Sequence, residues 1–471
     1  MNLLDELQEL LGPSAILTGA ETHAYTQDWR ERYDGRALAV VRPASTEEVA
    51  AVVRLCAQSD TPIIAQGGNT SLCGGSTPDD SGRAVMLSLQ RLDRIREVDT
   101  DNDTMVVEAG CILQTVQQTA QDAGRLFPLS LAAEGSCTIG GNLATNAGGT
   151  QVLRYGNMRS LVLGIEAVTA DGEVWHGLHG LRKNNTGYDL RHLLIGSEGT
   201  LGIITAATLM LYPLPTASRT ALLALESIDR AVAVLAAARD GFGPLLTGFE
   251  LMAGNCLHDV VRTFPQQQLP FSGPAAEMPW YALLELSDHE SEQHAQERLE
   301  AVLGASIEAG DVADAVVSES LAQSQALWHL RESIPMMEKE AGKTIKHDIS
   351  VPVSRMAGFV HDTNAALQEA FPGIVHVIFG HLGDGNLHYN VAPGADWTEA
   401  QLLARQEDVH RLVNDRVHAV GGSISAEHGI GRLKRDVLPD YKDPVEMALM
   451  QRIKTALDPH GILNPGKVLR S

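Results

Sequence analysis

Residues 134–149 read EGSCTIGGNLATNAGG, with five glycines set among short polar side chains. Glycine lets backbone N–H groups approach a phosphate closely and adopt positive φ, and neighbouring Ser, Thr and Asn side chains add donors. Similar clusters occur at residues 67–71 and 196–202. One such cluster is usually an ordinary turn, but their repetition beside β-type residues favours a long polar ligand such as a dinucleotide. No GxGxxG turn opens a βαβ unit and no Walker lysine follows, which argues against Rossmann and P-loop folds.

The sequence around these clusters predicts an α+β protein of several domains. Ser45 and Glu48 predict a capping box for a helix that runs to residue 57. The sequence pattern changes after the paired prolines near residue 215, and longer helices are predicted beyond this point, over 228–239 and 289–308. The predicted domains are residues 1–215, 216–425 and 426–471. Strands are predicted over 38–41, 62–65, 85–89, 104–108, 161–169, 375–380 and 387–391.

Composition excludes several classes of partner. The formal net charge is −23, from 59 acidic and 36 basic residues, which argues against nucleic acid or an anionic membrane surface. The five cysteines are scattered without CxxC spacing, as expected for reduced thiols in the cytoplasm. The first residues lack a basic segment followed by an apolar one, and no apolar run is long enough to cross a bilayer.

A second glycine-rich zone carries a candidate metal site. The hairpin predicted around residues 381–386 brings His381 and His388 to one end of a sheet, and Glu427 and His428 follow later. Two imidazoles and one carboxylate suit Zn²⁺ or another divalent ion in a catalytic site. The spacing alone leaves open that these histidines are hydrogen-bonded sheet residues. Asp384, between two glycines, is expected to cap the turn.

Two cations between the glycine-rich zones are candidates for anion binding. Arg331 lies where a helix is predicted to end, and Lys346 lies in a segment predicted to be a strand over 342–352. Arginine can hold a carboxylate through two hydrogen bonds and lysine adds a point charge. From the residues alone, both are as readily explained as solvated surface charges.

These motifs resemble the vanillyl-alcohol oxidase/PCMH-type flavoproteins over nearly the whole chain. The resemblance rests on Arg42-Pro43, residues 65–75, 134–149 and 183–202, and the closing LNPGK of residues 463–467. It implies an FAD-binding domain of two α+β subdomains, a substrate-binding domain with an antiparallel sheet and flanking helices, and a C-terminal helical segment that returns to the FAD domain. FAD is expected to be non-covalent, since no histidine lies in the first glycine turn or in residues 135–149. The implied FAD-binding residues are Gln66, Gly67, Gly68, Asn69, Thr70, Ser71, Gly135, Thr138, Gly140, Gly141, Asn142, Thr145, Gly148, Gly149, Gly199, Gly202, Ile204 and Asn464.

The second half is similar to the FAD-linked D-2-hydroxy acid dehydrogenases, which include D-2-hydroxyglutarate, D-lactate and glycolate dehydrogenases; the bacterial D-2-hydroxyglutarate enzymes are the most similar. By this resemblance His381, His388 and Glu427 bind the metal, and His428 is the base that contacts the substrate, a role that suits the ordinary histidine pKa of about 6.5. Arg331 and Lys346 hold a distal carboxylate and Asn390 the proximal end of the substrate.

One position departs from the family pattern. Pro335 stands where eukaryotic relatives carry a threonine whose hydroxyl assists substrate binding, and this puts the identity of the dicarboxylate in doubt. Lys343 and His347 lie near enough in sequence to replace that donor.

The expected function is therefore FAD-dependent, metal-assisted oxidation of D-2-hydroxyglutarate, and of D-malate, to the 2-oxo acid. Within the family the alternative is a D-lactate or glycolate dehydrogenase. Outside enzymes it is a non-catalytic flavin-binding subunit of an electron-transfer complex. The expected acceptor is an electron-transfer flavoprotein or another soluble carrier, and a homodimer is the default assembly.

Overall fold

The computed structural model describes residues 2–470, which divide into two units. The first is built from the chain up to Gly148, from Gly156–Leu214 and from Glu427 onward, and the second from Gly149–Tyr155 and Pro215–Ala426. Near residues 215 and 425 these borders differ from the predicted ones by a single residue. The heptapeptide Gly149–Tyr155 belongs to the second unit, a feature that the sequence did not suggest.

The first unit contains three sheets. A four-stranded sheet has the order β1-β2-β4-β3, with β2, β3 and β4 parallel; an antiparallel sheet has the order β5-β6-β10-β8-β9; and β7 pairs with β11. The strands are β1 (Ile16–Leu17), β2 (Ala37–Val41), β3 (Ile63–Gln66), β4 (Ala84–Ser88), β5 (Ile95–Asp99), β6 (Thr104–Glu108), β7 (Arg125–Leu126), β8 (Val162–Val168), β9 (Val174–Gly177), β10 (Ile203–Met210) and β11 (Tyr212–Pro213).

The second unit is built on one antiparallel sheet of seven strands in the order β15-β12-β14-β13-β17-β18-β16. Its strands are β12 (Ala217–Leu225), β13 (Leu246–Ala253), β14 (Trp280–Asp288), β15 (Asp314–Val317), β16 (Asp348–Ser350), β17 (Val375–Gly380) and β18 (Asn386–Ala392).

Helices flank the sheets of both units. None of the helices within residues 2–470 is long and apolar enough to cross a bilayer. The α-helices are α1 (Leu3–Leu11), α2 (His23–Thr26), α3 (Thr46–Gln58), α4 (Leu113–Asp122), α5 (Ile139–Thr145), α6 (Val152–Tyr155), α7 (Arg191–Leu194), α8 (Ile228–Phe242), α9 (Gly254–Thr263), α10 (Glu292–Glu308), α11 (Leu321–Glu332), α12 (Ile334–Ala341), α13 (Met356–Ala370), α14 (Glu399–Leu403), α15 (Gln406–Ala419), α16 (Leu438–Tyr441) and α17 (Pro444–Leu457).

Hydrophobic periodicity explains how α3 packs on the first sheet. Val49, Val52, Val53 and Cys56 recur at helical spacing and are buried in one core cluster, as expected for an amphipathic helix. Two residues from the C-terminal end, Ile462 and Leu463, belong to the same cluster, and a backbone bridge joins Leu463 to Ile63 in β3. The C-terminal segment therefore completes the core of the first unit.

Local predictions differ from the structure in three places. Ser45 caps α3 by accepting from the Glu48 backbone N–H, but the Glu48 carboxylate accepts from the Ala44 N–H, so the reciprocal bond of the predicted capping box is absent. The predicted helix over 289–308 begins only at Glu292, because the Ser291 side chain caps it. The strand predicted over 342–352 is reduced to β16, since only its last part pairs continuously with β18.

Candidate active site

The turn after β3 brings two glycines against a neighbouring loop. A Cβ on Gly67 would lie 2.1 Å from Thr138 Oγ1, and a Cβ on Gly68 would lie 1.9 Å from the carbonyl oxygen of Ser136. Both positions therefore require glycine. Asn69 follows with φ +55°, and its side-chain amide donates to the Gln27 carbonyl. The turn is rigid because its backbone is in contact with the loop and its side chains are hydrogen-bonded.

The glycine-rich segment of residues 134–149 forms a loop and the short helix α5. The Thr138 side chain caps α5 by accepting from the Gly141 N–H. Gly140 lies against the residue that follows β6, and a Cβ on it would approach within 2.7 Å of the Ala109 Cβ. Asn146 ends the helix in the left-handed region, with φ +50°. Because glycine has no Cβ, the backbone of α5 can pack directly against the neighbouring segments.

These segments enclose a cavity of about 730 Å³ in the first unit. All the predicted FAD-binding residues line it except Gly135, Gly149 and Asn464. Within the described residues no lysine or arginine is part of the lining. Most of the available donors are backbone N–H groups and Ser, Thr, Asn and Gln side chains, a set that suits the phosphates of a dinucleotide; Trp29 and His428 add ring N–H groups. The residues present fit FAD.

Three predicted residues lie elsewhere for identifiable reasons. The Asn464 amide donates to the carbonyls of Gly75 and Glu198 and so holds two cavity loops from behind. Gly149 belongs to the second unit. Gly135 is next to the cavity-lining Ser136, and a Cβ on it would face the Gln114 side chain at 3.4 Å.

The proposed base lies in the wall of the same cavity. Glu427 and His428 both line it, and His428 Nε2 is 3.8 Å from Glu427 Oε1. Glu198, another lining residue, accepts backbone N–H bonds from the loop that follows His428. The cavity thus combines a dinucleotide cradle with an imidazole and a carboxylate that can accept protons or bind a cation.

In the second unit a buried glutamate organises two of the predicted site residues. Glu250 lies in β13, all of whose residues are buried. Its Oε2 accepts from Arg331 Nε at 2.8 Å, and its Oε1 lies 2.6 Å from His381 Nδ1. Burial raises the pKa of Glu250, but the charges of His381 and Arg331 outweigh burial and hold this pKa at about 2. With Nδ1 engaged, Nε2 of His381 is the ring atom suited to a metal ion.

A second buried glutamate organises the other cation. Glu338 in α12 accepts from Lys346 Nζ at 2.8 Å and from Asn390 Nδ2 at 2.9 Å. The Thr344 hydroxyl donates to the same carboxylate. Arg331 and Lys346 are therefore both paired with carboxylates, and the alternative that they are solvated surface charges is wrong.

His388 has an acidic neighbour that the sequence did not single out. Asp348 in β16 lies directly opposite His388 in β18, and a carboxylate oxygen of Asp348 lies within 4.8 Å of a ring nitrogen of His388. The His381 and His388 rings are 5.9 Å apart between centroids. Asp384 accepts from the Asn386 N–H and so caps the turn between them, as predicted.

Comparison with known proteins identifies the family. The profile for the C-terminal domain of FAD linked oxidases matches residues 214–468, more than half of the chain, and the FAD binding domain matches residues 37–177. The chain belongs to the FAD-linked oxidases. The predicted resemblance is thus confirmed, and the domain match supports FAD as the cofactor.

Relatives of this family member include three proteins named D-2-hydroxyglutarate dehydrogenase. The protein from Xanthomonas citri pv. viticola is 41% identical over 454 residues, covering 96% of this chain and 93% of the relative. The mitochondrial protein from Bos taurus is 38% identical, covering 98% and 82%. The protein from Stutzerimonas stutzeri is 37% identical, covering 99% and 98%.

Solved structures confirm the expected fold class. Substrate-bound p-cresol methylhydroxylase matches with a TM-score of 0.77 at 17% identity, covering 99% of this chain and 96% of that chain. The 4-ethylphenol oxidase from Gulosibacter chungangensis matches with a TM-score of 0.75 at 21% identity, with the same coverage. At these identities the likeness shows the fold alone, which is the PCMH-type fold.

The residues that sequence reasoning missed are mainly the acidic partners. Glu250, Glu338 and Asp348 each contact a predicted site residue in the second unit, and Glu198 contacts the loop after His428 in the first. Glu250 carried a usable signal, since a single carboxylate within the apolar run of residues 246–253 must find a partner when buried. Glu338 carried none, because it lies in a helix with other charged residues.

Proposed function

We propose that this protein is an FAD-dependent dehydrogenase that oxidises D-2-hydroxyglutarate, and also D-malate, to the 2-oxo acid. The observation that carries the proposal is that His428 and Glu427 line the same cavity as the glycine-rich segments. That arrangement gives a base at the wall of a dinucleotide cradle. The names of the near-full-length relatives supply the substrate class.

FAD would be held without a covalent bond by the cavity loops, and when bound it supplies the acceptor for the hydride from the substrate α-carbon. His428 accepts the proton of the substrate hydroxyl as that hydride leaves. Glu427 lies beside this imidazole, with its Oε1 3.8 Å from His428 Nε2, and in this proposal its carboxylate serves the metal ion.

His381, His388 and Glu427 would hold a divalent ion such as Zn²⁺, which would supply a Lewis acid for the substrate's hydroxyl and carboxylate oxygens. The donor set supports this assignment, because Glu250 fixes His381 by its Nδ1 side and orients Nε2 for a ligand role. Asp348, beside His388, is a further oxygen donor.

The cations would orient the far end of the substrate. The Nε–H of Arg331 donates to Glu250, so the terminal amino groups of Arg331 would be the donors for a distal carboxylate. Lys346 and Asn390, joined through Glu338, would complete the binding of the two substrate carboxylates. Pro335 occupies the first turn of α12, where proline is well tolerated, and it offers no hydroxyl to the substrate.

One observation favours a second candidate, oxidation of a D-2-hydroxy monocarboxylate such as D-lactate or glycolate. Arg331 and Lys346 are each neutralised by a buried glutamate, so the cluster balances its charge without a distal carboxylate. Arg331→Ala separates the two: its kcat/KM on D-2-hydroxyglutarate should fall by about 100-fold, as expected for loss of a charged anchor. With a monocarboxylate as the true substrate, turnover would remain nearly unchanged.

The direct test uses the purified protein. Its visible spectrum should show flavin, and D-2-hydroxyglutarate should bleach that flavin and reduce an artificial dye acceptor faster than D-malate, D-lactate or glycolate. Absence of flavin absorbance, or of bleaching by any of the four acids, refutes the proposed function. Full activity after EDTA treatment removes the metal from it.

We also propose an electron acceptor, a cellular compartment and an oligomeric state. The natural acceptor would be a soluble carrier such as an electron-transfer flavoprotein, the compartment the bacterial cytoplasm, and the assembly a homodimer. The buried cysteines agree with a reducing compartment. Size-exclusion chromatography with light scattering tests the dimer, and a monomer mass would refute it.

A further inference from the structure

The glycine cluster at residues 196–202 contains a glutamate that neither FAD binding nor the proposed chemistry uses. Glu198 has φ +53°, in the left-handed region that residues other than glycine rarely adopt. Its side chain is partly exposed and lines the cofactor cavity. A carboxylate facing a site for phosphate groups is unfavourable electrostatically, so its presence there calls for a different role.

The carboxylate of Glu198 binds the loop that carries the proposed base. Its Oε1 accepts from the Ile430 N–H at 2.7 Å, and its Oε2 accepts from the Gly431 N–H at 2.8 Å. The backbone N–H of Glu198 donates to the carbonyl of Ala144 in α5 at 2.8 Å. One residue therefore ties the loop after His428 to the helix of the dinucleotide cradle.

The loop is shaped to receive this carboxylate. Gly429 has φ +78°, and a Cβ there would lie 2.7 Å from Glu198 Oε1. Gly431 has φ +51°, and a Cβ there would lie 2.3 Å from the Cys73 carbonyl oxygen. The same Cys73 carbonyl accepts from the N–H of Arg432. Gly431 is thus required by close approach to a backbone carbonyl and Gly429 by its positive φ, and Glu198 supplies the acceptor on one side of the loop.

Hydrogen bonds hold the Glu198 carboxyl group in place, although its surroundings raise its pKa. Burial raises its pKa, while the two backbone N–H bonds and the cations of Lys434 and Lys467 lower it in part. Lys467 is buried in the C-terminal segment, and burial lowers its own pKa to about 8. A carboxylate with two N–H donors and two cations close by suits a fixed anchor better than a proton carrier.

We propose that Glu198 is the positioning residue of the reaction: it sets the distance of His428 and Glu427 from the ligands of the cavity by holding the loop immediately after them. This rests on the proposed function for the role of His428 as the base and for the identity of the substrate. Displacement of a catalytic group by about 1 Å can cost on the order of 100-fold in rate.

The test is Glu198→Gln in the FAD-loaded protein. Glutamine keeps the size of the side chain but places an NH₂ group against one of the two backbone N–H donors. Amide hydrogen exchange at Ile430 and Gly431 should become about tenfold faster, while flavin content stays at the wild-type level. Flavin reduction by D-2-hydroxyglutarate in stopped flow should slow about 10- to 100-fold, with KM changed far less and with a larger isotope effect for substrate deuterated at the α-carbon.

Glu48→Gln is the matched control, because Glu48 also accepts a backbone N–H bond, from Ala44, at a helix start. It should leave exchange at 430–431 and flavin reduction unchanged. Unchanged exchange in Glu198→Gln, or faster exchange with an unchanged rate per bound flavin, overturns the positioning role. If D-2-hydroxyglutarate does not reduce the wild-type flavin, the proposed substrate fails separately, and the rate comparison uses whichever acid of the panel reduces it.

Discussion

Replacement of Glu250 by glutamine is the sharpest test of the charged cluster in the second unit. The carboxylate is buried, with Arg331 on one oxygen and His381 on the other. Its pKa is about 2, against an ordinary value of 4.5. At ~1.36 kcal/mol per pH unit, this difference corresponds to about 3 kcal/mol of folding free energy at pH 7. Removing one partner of a buried ion pair typically costs 3–5 kcal/mol, which agrees.

The pH dependence follows from the sign of the shift. A carboxyl group with a lowered folded pKa stabilises the folded state above its unfolded pKa and loses this contribution as the pH falls toward the folded value. The penalty of Glu250→Gln should therefore be about 3 kcal/mol at pH 7 and roughly half of that at pH 3. Urea unfolding followed by tryptophan fluorescence at both pH values measures it.

Glu285→Gln provides the control for that experiment. Glu285 lies in the neighbouring strand β14 and accepts from Trp328 Nε1 at 2.8 Å. Burial raises the pKa of Glu285, and its hydrogen bonds only partly offset this effect. Because the charge of Glu285 therefore contributes little to stability, Glu285→Gln should lower the free energy of unfolding by about 1 kcal/mol, with weak pH dependence. Equal losses in the two variants, or a Glu250→Gln penalty that does not shrink at low pH, would refute the assignment of Glu250 as a buried charged anchor.

Three further predictions concern other parts of the chain. His428→Gln should slow flavin reduction by about 10²- to 10⁴-fold with an unchanged visible spectrum, and a loss below fivefold would exclude His428 as the base. Gly68→Ala places a Cβ 1.9 Å from the Ser136 carbonyl oxygen, so the purified variant should contain little flavin per protein; full flavin occupancy would contradict the tight packing of the two loops. Gly304→Ala, in α10 with no atom within 4 Å of the added Cβ, should raise the free energy of unfolding by about 0.5–1 kcal/mol, and destabilisation would show that the helix needs this glycine.

The dinucleotide cradle was predictable because its chemistry is local. The residues that form it lie in short glycine-rich segments, and this composition already indicates that backbones approach closely there. They include Gly67, Gly68, Thr138 and Gly141. The strand order of the sheets and the membership of Gly149–Tyr155 in the second unit were not predictable from composition. They depend on pairings that no short segment encodes.

Only the cations of the charged cluster in the second unit could be predicted from the sequence. Arg331 and His381 could be named as candidates, but their partner Glu250 precedes them by 81 and 131 residues. Whether a cation is solvated or buried depends on that partner, and the sequence leaves both outcomes open. The same holds for Lys346, whose charge is balanced by Glu338 in the preceding helix.

The pairing of the C-terminal segment with β3 has a consequence for biosynthesis. The Ile63 N–H donates to Ile462 and its carbonyl accepts from Asn464, so this edge of β3 acquires its partner only after residues 462–464 have left the ribosome, long after β3 itself. Pro215–Ala426 emerges earlier as a continuous stretch and can fold while the first unit is still waiting. Until residues 462–464 are available, this edge of β3 presents unpaired backbone groups of the kind with which strands of other chains can pair. The nascent chain is therefore most exposed to aggregation between the synthesis of β3 and that of residues 462–464, and the exposed edge belongs to the first unit.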